Sequence, residues 1–196
     1  MTVSLLTVRQ LSLSCGVKLD LEIGCGQRMA LLGGEACGKS RFGRMLVGLV
    51  VPESGEVVWH GEARGRAMLF RVPDWHFLTA TPWEEVALTP AASGQSDVAW
   101  HQQVVDSLTW AGVSVEAWHG SLMHLSASER YRVSMAVVHS MQPQLLILDE
   151  PGHMLSDQGE EQLAQALVAL GVATFTLTSR IARARRFADQ IMYVQP

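Results

Sequence analysis

Apolar and charged residues alternate strictly over one early stretch of the chain, residues 17–23. Val17, Leu19, Leu21 and Ile23 are apolar, and a lysine, an aspartate and a glutamate stand between them. A two-residue period places the apolar side chains on one face of a strand and the charged ones on the other. The pattern therefore predicts a strand with one face towards solvent.

A spacing of three and four residues predicts the first helix. Phe42, Met45, Leu46 and Leu49 lie at positions i, i+3, i+4 and i+7, which is the spacing of one helix face. The stretch RMALL before them is apolar after its first residue and predicts a buried strand. A strand, a glycine-rich loop and a helix are therefore expected in succession.

Capping boxes mark the beginnings of two later helices. Thr81 and Ser126 are followed three positions later by Glu84 and Glu129, and each pair can satisfy backbone N–H groups at a helix start. The second of these helices is expected to run to about Met141. Further helices are predicted over residues 98–111, over residues 160–170 and over a short basic stretch before the last strand.

Short apolar runs predict the remaining strands. They are VVWH and AMLF after the first helix, then LLILD, ATFTLT and QIMYV. Strands that alternate with helices form a parallel or mixed sheet covered by helices. The predicted fold class is therefore α/β, in one domain of 196 residues with a small subdomain.

Composition narrows the function classes. The net charge of −4 argues against a protein that coats nucleic acid. No apolar run approaches the ~20 residues that cross a bilayer, and the first residues lack the pattern of a signal peptide. Cys15, Cys25 and Cys37 are odd in number and unclustered, which fits free thiols in a reducing compartment. The chain is thus expected in the cytosol unless a partner recruits it.

The stretch GGEACGKS, residues 33–40, has the spacing of a phosphate-binding loop. Backbone N–H groups of such a loop converge on phosphate oxygens, and the following helix points its positive end at the same anion. Lys39 would reach the outer phosphates and Ser40 a magnesium ion. Cys37 is either a reactive thiol, activated by Lys39 and the helix N-terminus, or a small residue that fills the loop.

Two carboxylates follow the apolar run LLIL. Asp149 stands at the C-terminal end of this predicted strand, where a phosphate-bound magnesium needs a ligand. Glu150 is placed to orient or deprotonate an attacking water. The simpler interpretation is a strand that ends in a polar turn.

These motifs together resemble the ATPase subunit of ATP-binding-cassette (ABC) transporters over nearly the whole chain. GGEACGKS resembles Walker A, LLILDEP resembles Walker B, and LSASE at residues 125–129 stands where the family has Leu-Ser-Gly-Gly-Gln. The stretch LFRVPDWHFLTATPWEEVALTP is most similar to the energy-coupling type that serves cobalt, nickel and vitamin uptake. The fold implied is a P-loop NTPase core.

The resemblance also implies an organisation and a set of ligands. One ABC-type nucleotide-binding domain would cover residues 1–196, with a helical subdomain at roughly 75–142 and no appended regulatory domain. ATP and Mg²⁺ would be the cofactors, with Ser40 and Asp149 on the metal and Glu150 as the catalytic residue. The nucleotide-binding residues would be Gly33, Gly34, Glu35, Ala36, Cys37, Gly38, Lys39, Ser40 and Arg41.

The implied partners are a second ABC ATPase subunit and an integral membrane transport subunit, but no nucleic acid. Two such domains stack head to tail, so that Ser126, Ala127, Ser128 and Glu129 would cap the nucleotide of the opposing site. Ser126 and the first N–H groups of its helix can form an anion site, or Ser126 can be a plain N-cap. The chain would be cytoplasmic and peripheral on the inner face of the cell membrane.

Several positions depart from the family pattern. Ala127 and Ser128 replace the two glycines of the signature, and Glu129 brings negative charge towards a phosphate. Arg71 stands where the family has a magnesium-contacting glutamine, and a cation cannot ligate a metal. Ser179 replaces the histidine that holds the γ-phosphate, and Cys15 aligns with the aromatic residue that stacks on adenine.

The retained and altered residues lead to a conditional prediction. We expect an ATP-binding subunit that hydrolyses ATP slowly and powers or gates a membrane partner. The alternative is a non-hydrolysing regulatory module, a pseudo-ATPase paired with an intact ATPase subunit. A small-molecule kinase on the same loop is disfavoured by the order of LSASE and DEP.

Two groups of residues invite a second interpretation. The tryptophans could anchor a membrane subunit, although core packing explains most of them more simply. They are Trp59, Trp75, Trp83, Trp100, Trp110 and Trp118. The C-terminal arginines could face lipid headgroups, although a solvated helix face is the expected arrangement. They are Arg180, Arg183, Arg185 and Arg186.

Overall fold

The computed structural model of the chain describes residues 3–63, 65–72, 77–94 and 96–194. The chain divides into two compact units, Met1–Arg71 with Pro143–Pro196, and Val72–Gln142. The strands are β1 (Ser4–Ser12), β2 (Lys18–Gly24), β3 (Arg28–Gly33), β4 (Glu56–Trp59), β5 (Arg66–Leu69), β6 (Leu145–Asp149), β7 (Ala173–Thr178) and β8 (Gln190–Val194). The helices are α1 (Lys39–Leu46), α2 (Pro82–Ala91), α3 (Asp97–Trp110), α4 (Ala127–Ser140), α5 (Asp157–Leu170) and α6 (Ile181–Phe187).

A parallel sheet of five strands forms the centre of the first unit, in the order β5-β6-β7-β3-β8. Every pairing within it is parallel. β6 and β7 are buried along their whole length, as expected for strands covered on both faces. This sheet and its helices confirm the predicted α/β class. The sequence allowed either a parallel or a mixed sheet, and the five strands form a parallel one.

A second, antiparallel sheet has the order β2-β1-β4. β2 shows the predicted alternation of exposed and buried residues. β1 was not predicted. It lacks strict alternation because its pairing with β2 shifts register between Ser4 and Leu6 and again between Val8 and Leu11. Such irregularities move side chains to the other face and disturb the two-residue period.

The helix α1 packs on the parallel sheet through a glycine. A Cβ atom on Gly43 would lie 2.6 Å from Cδ1 of Leu177 in β7, and the rings of Phe42 and Phe175 are 6.2 Å apart. The helix ends at Leu46. Leu49 is 62% exposed, so its predicted place on the apolar helix face is wrong.

The second unit contains α2, α3 and α4. Both predicted capping boxes are present, at Thr81 with Glu84 and at Ser126 with Glu129. α2 continues through Pro90 and ends at Ala91. Among the described residues, no helix combines the length and the apolar character that a membrane crossing requires.

The tryptophans are only partly buried in this structure. Trp59, Trp83, Trp100, Trp110 and Trp118 each have intermediate exposure, and Trp75 lies outside the described residues. Trp59 packs against the hydrophobic core of the first unit, and core packing of the others stays a prediction. In the second unit, Trp83 contacts the rings of Trp118 and His119.

Candidate functional site

The glycine-rich loop connects β3 to α1, as its sequence predicts. β3 ends at Gly33, a 3-10 turn covers Glu35–Cys37, and α1 begins at Lys39. Gly38 has φ +84, and a Cβ atom there would lie 2.4 Å from Oγ of Ser14. Glycine adopts this left-handed conformation without strain, and it has no Cβ atom to clash with Ser14. The loop thus brings its backbone to the N-terminus of α1, where a helix favours anions.

Lys39 lies beneath this loop and is 5% exposed. Its Nζ donates to the carbonyl oxygens of Gly33 and Gly34, at 2.9 and 2.6 Å. An ammonium group carries three N–H donors, so these bonds fix the side chain and use two of them. A buried positive charge is therefore held at the centre of the loop.

The other residues of the loop differ in exposure. Gly34, Glu35 and Ala36 are exposed, and Ser40 is partly buried. Arg41 is exposed and forms an ion pair with Glu53. These positions surround the same turn, and their roles in nucleotide binding remain predictions.

Asp149 ends β6 and is 3% exposed. Its burial raises the pKa of the carboxyl group, while a hydrogen bond from Ser40 acts in the opposite direction. The positive charges of Arg44 and Arg71 also oppose the rise. The structure therefore brings together the two residues that the sequence assigns to a metal.

Glu150 follows Asp149 with a left-handed backbone, φ +48. Its N–H donates to the carbonyl oxygen of Leu177 at 2.8 Å, which turns the side chain towards the end of β7. A residue other than glycine is rarely found in this conformation. The Glu150 side chain is consequently fixed by the backbone as well as by its own contacts.

The carboxylate of Glu150 accepts four hydrogen bonds. Oε1 accepts from N and Oγ of Ser179, at 2.7 and 2.9 Å. Oε2 accepts from Oγ1 of Thr178 and from Nη1 of Arg183, both at 2.8 Å. Burial alone would raise the pKa of Glu150, but these bonds outweigh it, and the pKa lies below the usual glutamate value. The side chain is therefore ionised near neutral pH.

Arg183 connects Glu150 to a second buried carboxylate. Its Nη2 donates to Oε1 of Glu160 at 2.5 Å, and Arg183 is 5% exposed. Arg186 completes the cluster with a 2.6 Å bond to Oε2 of Glu160. The expectation of a solvated face is wrong for these two residues of α6, since Arg183 is buried and Arg186 is partly buried. No sequence spacing connects Glu150, Glu160 and Arg183, and sequence reasoning missed the ion pairs.

The signature segment forms the N-terminus of α4. Ser126 accepts a hydrogen bond from N of Glu129, and Oε2 of Glu129 accepts from N and Oγ of Ser126 at 2.7 and 2.6 Å. Bonds from the Ser126 side chain and backbone lower the pKa of Glu129. Ser126, Ala127 and Glu129 are exposed and Ser128 is partly buried. An ionised carboxylate therefore already bonds to the N-cap where an anion was predicted.

The other departures from the family pattern lie in the first unit. Ser179 faces Glu150 with both its N–H and its hydroxyl group. Arg71 is exposed, and its charge acts on both Asp149 and His153. Cys15 is partly buried against the hydrophobic core, next to the Ser14 that contacts the loop glycine.

The residues present fit a phosphate group and a magnesium ion. The loop offers backbone donors, the N-terminus of α1 and the ammonium group of Lys39. The Ser40 hydroxyl and the Asp149 carboxylate are hard oxygen donors that already lie within hydrogen-bond distance of each other, and magnesium prefers such ligands. A cation here would also stabilise the ionised form of the buried Asp149.

Cysteine burial gives a prediction about thiol reactivity. Cys37 is 2% exposed, and its Sγ would lie 3.5 Å from a Cβ built on Gly33, which favours the small-residue interpretation over the reactive thiol. Cys25 is exposed. A maleimide should label Cys25 at least tenfold faster than Cys37 in the folded protein, as peptide mass mapping would show. Equal labelling rates would contradict the buried position of Cys37, and labelling in denaturant provides the control.

Comparison with known proteins identifies the family. The family model described as ABC transporter matches residues 17–153. A protein of Streptomyces coelicolor named as an ABC transporter ATP-binding protein is 32% identical over 170 residues, which are 82% of this chain and 65% of that protein. The energy-coupling factor transporter ATP-binding protein EcfA2 of Methanospirillum hungatei is 29% identical over 193 residues, which are 90% of this chain and 48% of that protein. The chain spans less than two thirds of the length of these relatives.

A solved structure shares the fold. It is the dimeric post-hydrolysis state of the ATP-binding cassette MJ0796 bound to ADP and Pi, with a TM-score of 0.84 and 19% identity, over 97% of this chain and 94% of that one. The predicted P-loop NTPase core is confirmed by this likeness. Because the family model matches more than half of the chain, the chain belongs to the ATP-binding-cassette family of ABC transporters.

Proposed function

We propose that this chain is the ATP-binding subunit of an ABC transporter and that it hydrolyses ATP slowly. The observation that carries the proposal is the buried ammonium group of Lys39 beneath the loop, 2.9 and 2.6 Å from two loop carbonyls. This charge, the loop N–H groups and the N-terminus of α1 all point to a polyphosphate. MgATP is the ligand that this family and this donor set suggest.

Each residue then has a defined task. The backbone of the loop and Lys39 bind the phosphates, and Ser40 and Asp149 hold the magnesium ion, which neutralises phosphate charge when bound. Glu150 is the general base, which accepts a proton from water at Oε1 or Oε2. Cys15 offers no aromatic ring for adenine, so the base would be bound more weakly than in relatives with that ring.

A second ATPase subunit would complete the site. The MJ0796 cassette is a dimer, and on the family pattern Ser126–Glu129 would lie over the nucleotide of an opposing subunit. In this chain a phosphate at that segment has to compete with the carboxylate of Glu129, which bonds to Ser126 at 2.6 Å. The repulsion between two anions would weaken the closure of the pair and slow turnover.

A regulatory, non-hydrolysing module is the second candidate. The observation that favours it is the Glu150 carboxylate with four hydrogen bonds from protein groups. A carboxylate has about four lone-pair positions. A base with all of them occupied cannot accept a bond from water until one donor leaves.

An integral membrane subunit is the proposed transport partner. An apolar groove on the second unit offers a docking surface between α2 and α3, with Trp83, Leu88 and Trp100 in its lining. Leu88 is 43% exposed there, and aromatic residues around an apolar groove are typical anchors for a partner helix. Docking would hold the chain at the inner face of the cell membrane. No nucleic-acid partner is proposed.

MgATP binding should depend on Lys39. The Lys39→Ala variant should bind MgATP at least about a hundredfold more weakly in calorimetry, because it loses the only cation that is buried within the loop. The matched control is Lys18→Ala, which removes the one other lysine of the chain from an exposed position on β2 and should bind as the wild type does. Equal binding by all three proteins would contradict the proposal.

Phosphate release decides between the two candidates. We expect slow release from the wild type and a faster rate when Ser179→His and Arg71→Gln are combined, since one restored transition-state contact is worth ~10²–10³ in rate. Glu150→Gln should abolish the release in both backgrounds. If MgATP binds and neither background releases phosphate in a Glu150-dependent manner, the regulatory module is the better description.

The groove should control membrane association. Leu88→Gln should lower the membrane-bound fraction about tenfold in cells that contain the transport partners, because a polar group then has to be buried in the interface. Leu170→Gln is the matched control, since Leu170 lies on α5 in the first unit with a similar exposure of 38%. Equal loss in both variants would mean that the groove is not the docking surface.

A further inference from the structure

The carboxylate of Glu150 has no lone-pair position left for a water molecule. Two donors of Ser179 occupy Oε1, and Thr178 and Arg183 occupy Oε2. A carboxylate accepts about four hydrogen bonds in total. Glu150 can act on water only by accepting a proton at one of these oxygens, so one of the present donors has to give way first.

Arg183 differs from the other three donors because it brings a full charge. Thr178 and Ser179 donate through neutral hydroxyl and backbone groups, whereas the guanidinium group forms an ion pair with Glu150. Charge-assisted hydrogen bonds of this kind are roughly twice as strong as neutral ones. The pair is also shielded from solvent, with the side chains of Arg183 and Glu150 only 5% and 11% exposed.

Contacts on its far side hold Arg183 in place. Its second terminal nitrogen donates to Glu160, and Glu160 is bound in turn by Arg186. Gly152 packs its backbone against Glu160, since a Cβ atom there would lie 2.5 Å from Cγ of that residue. The guanidinium group is therefore fixed between two carboxylates and is not free to rotate away.

We propose that Arg183 restrains Glu150, so that the ion pair competes with the attacking water for the carboxylate and limits hydrolysis. Arg183 is thus a positioning residue for the proposed hydrolysis of ATP, and the inference rests on that proposed function. The arrangement gives the slow turnover a specific cause within the first unit. It also separates that cause from the altered signature at Ser126–Glu129.

The first test needs no nucleotide. The guanidinium N–H signals of Arg183 are followed by ¹⁵N NMR of the full chain at one fixed pH and are assigned with Arg183→Gln. In Glu150→Gln these N–H groups should exchange with water about tenfold faster or more, because the charge-assisted bond to Glu150 is lost. Arg183→Lys keeps the charge, so its phosphate release should stay near the wild-type rate.

Arg186→Gln is the matched control. The substitution removes an arginine that lies on the same helix and binds the same Glu160. The ion pairs of Arg186 are with Glu160 and Glu161 and not with Glu150. The exchange of the Arg183 N–H groups and the rate of phosphate release should therefore stay near the wild-type values. In Arg183→Gln, Glu160 keeps Arg186, and Glu150 keeps Thr178 and Ser179, so both carboxylates retain partners.

The second test measures turnover on the full chain with any co-purifying subunits retained. Arg183→Gln should raise kcat for phosphate release roughly tenfold or more with KM for MgATP unchanged. Glu150→Gln in the same background should abolish the gain, and Arg186→Gln should leave kcat unchanged.

Several results would overturn the restraint. One is an Arg183→Gln protein that binds MgATP normally but turns over no faster. A further one is an Arg183 whose N–H exchange does not change in Glu150→Gln. Another is an equal gain in Arg186→Gln, which would indicate general loosening of α6. If Arg183→Gln does not fold, the double variant Arg183→Gln with Glu160→Gln replaces the charged pair by two amides; if that also fails, Arg183 is a structural residue. Failure of MgATP to bind the wild type would instead refute the proposed function, while the NMR result stands by itself.

Discussion

The parallel pairing of β6, β7 and β3 is the constraint on which the candidate site depends. Asp149 pairs with Leu177, and Leu32 pairs with Thr178, so the three strands end at one edge of the sheet. The phosphate loop leaves β3 there, Asp149 ends β6 with Glu150 directly after it, and Ser179 follows β7. The candidate site residues lie together at this edge because the carboxyl ends of parallel strands share it.

Features that depend on neighbours in sequence could be predicted from the sequence. The loop between β3 and α1 and the capping boxes at Thr81 and Ser126 are examples, since each needs only residues a few positions apart. β1 and the end of α1 could not be predicted in this way. The first has two register shifts in its pairing, and Leu49 continues a helical spacing after the helix has ended at Leu46.

The ion pairs around Glu150 show a different limit of sequence reasoning. Glu150, Glu160 and Arg183 come from the end of β6, from α5 and from α6, and only tertiary packing joins them. The direction of the Glu150 side chain also depends on the backbone φ of +48 at that residue. No residue pattern in the sequence predicts this local geometry. A basic helix such as α6 is usually solvated, so its composition suggested the wrong environment for Arg183.

Asp149 and Glu150 are adjacent, yet their surroundings act on them in opposite directions. Burial dominates at Asp149 and raises its pKa, whereas the bonds from Thr178, Ser179 and Arg183 overcome burial at Glu150 and lower its pKa. The charge of Glu150 is thus balanced from within the fold, by a guanidinium group that the same chain supplies. At Asp149 a hydroxyl group and more distant arginines oppose the effect of burial, so a bound cation would stabilise the ionised form of Asp149. Under the proposed roles, Ser40 and Asp149 would hold the metal while Arg183 restrains the base, and the two carboxylates remain linked because the charge of Glu150 acts on Asp149.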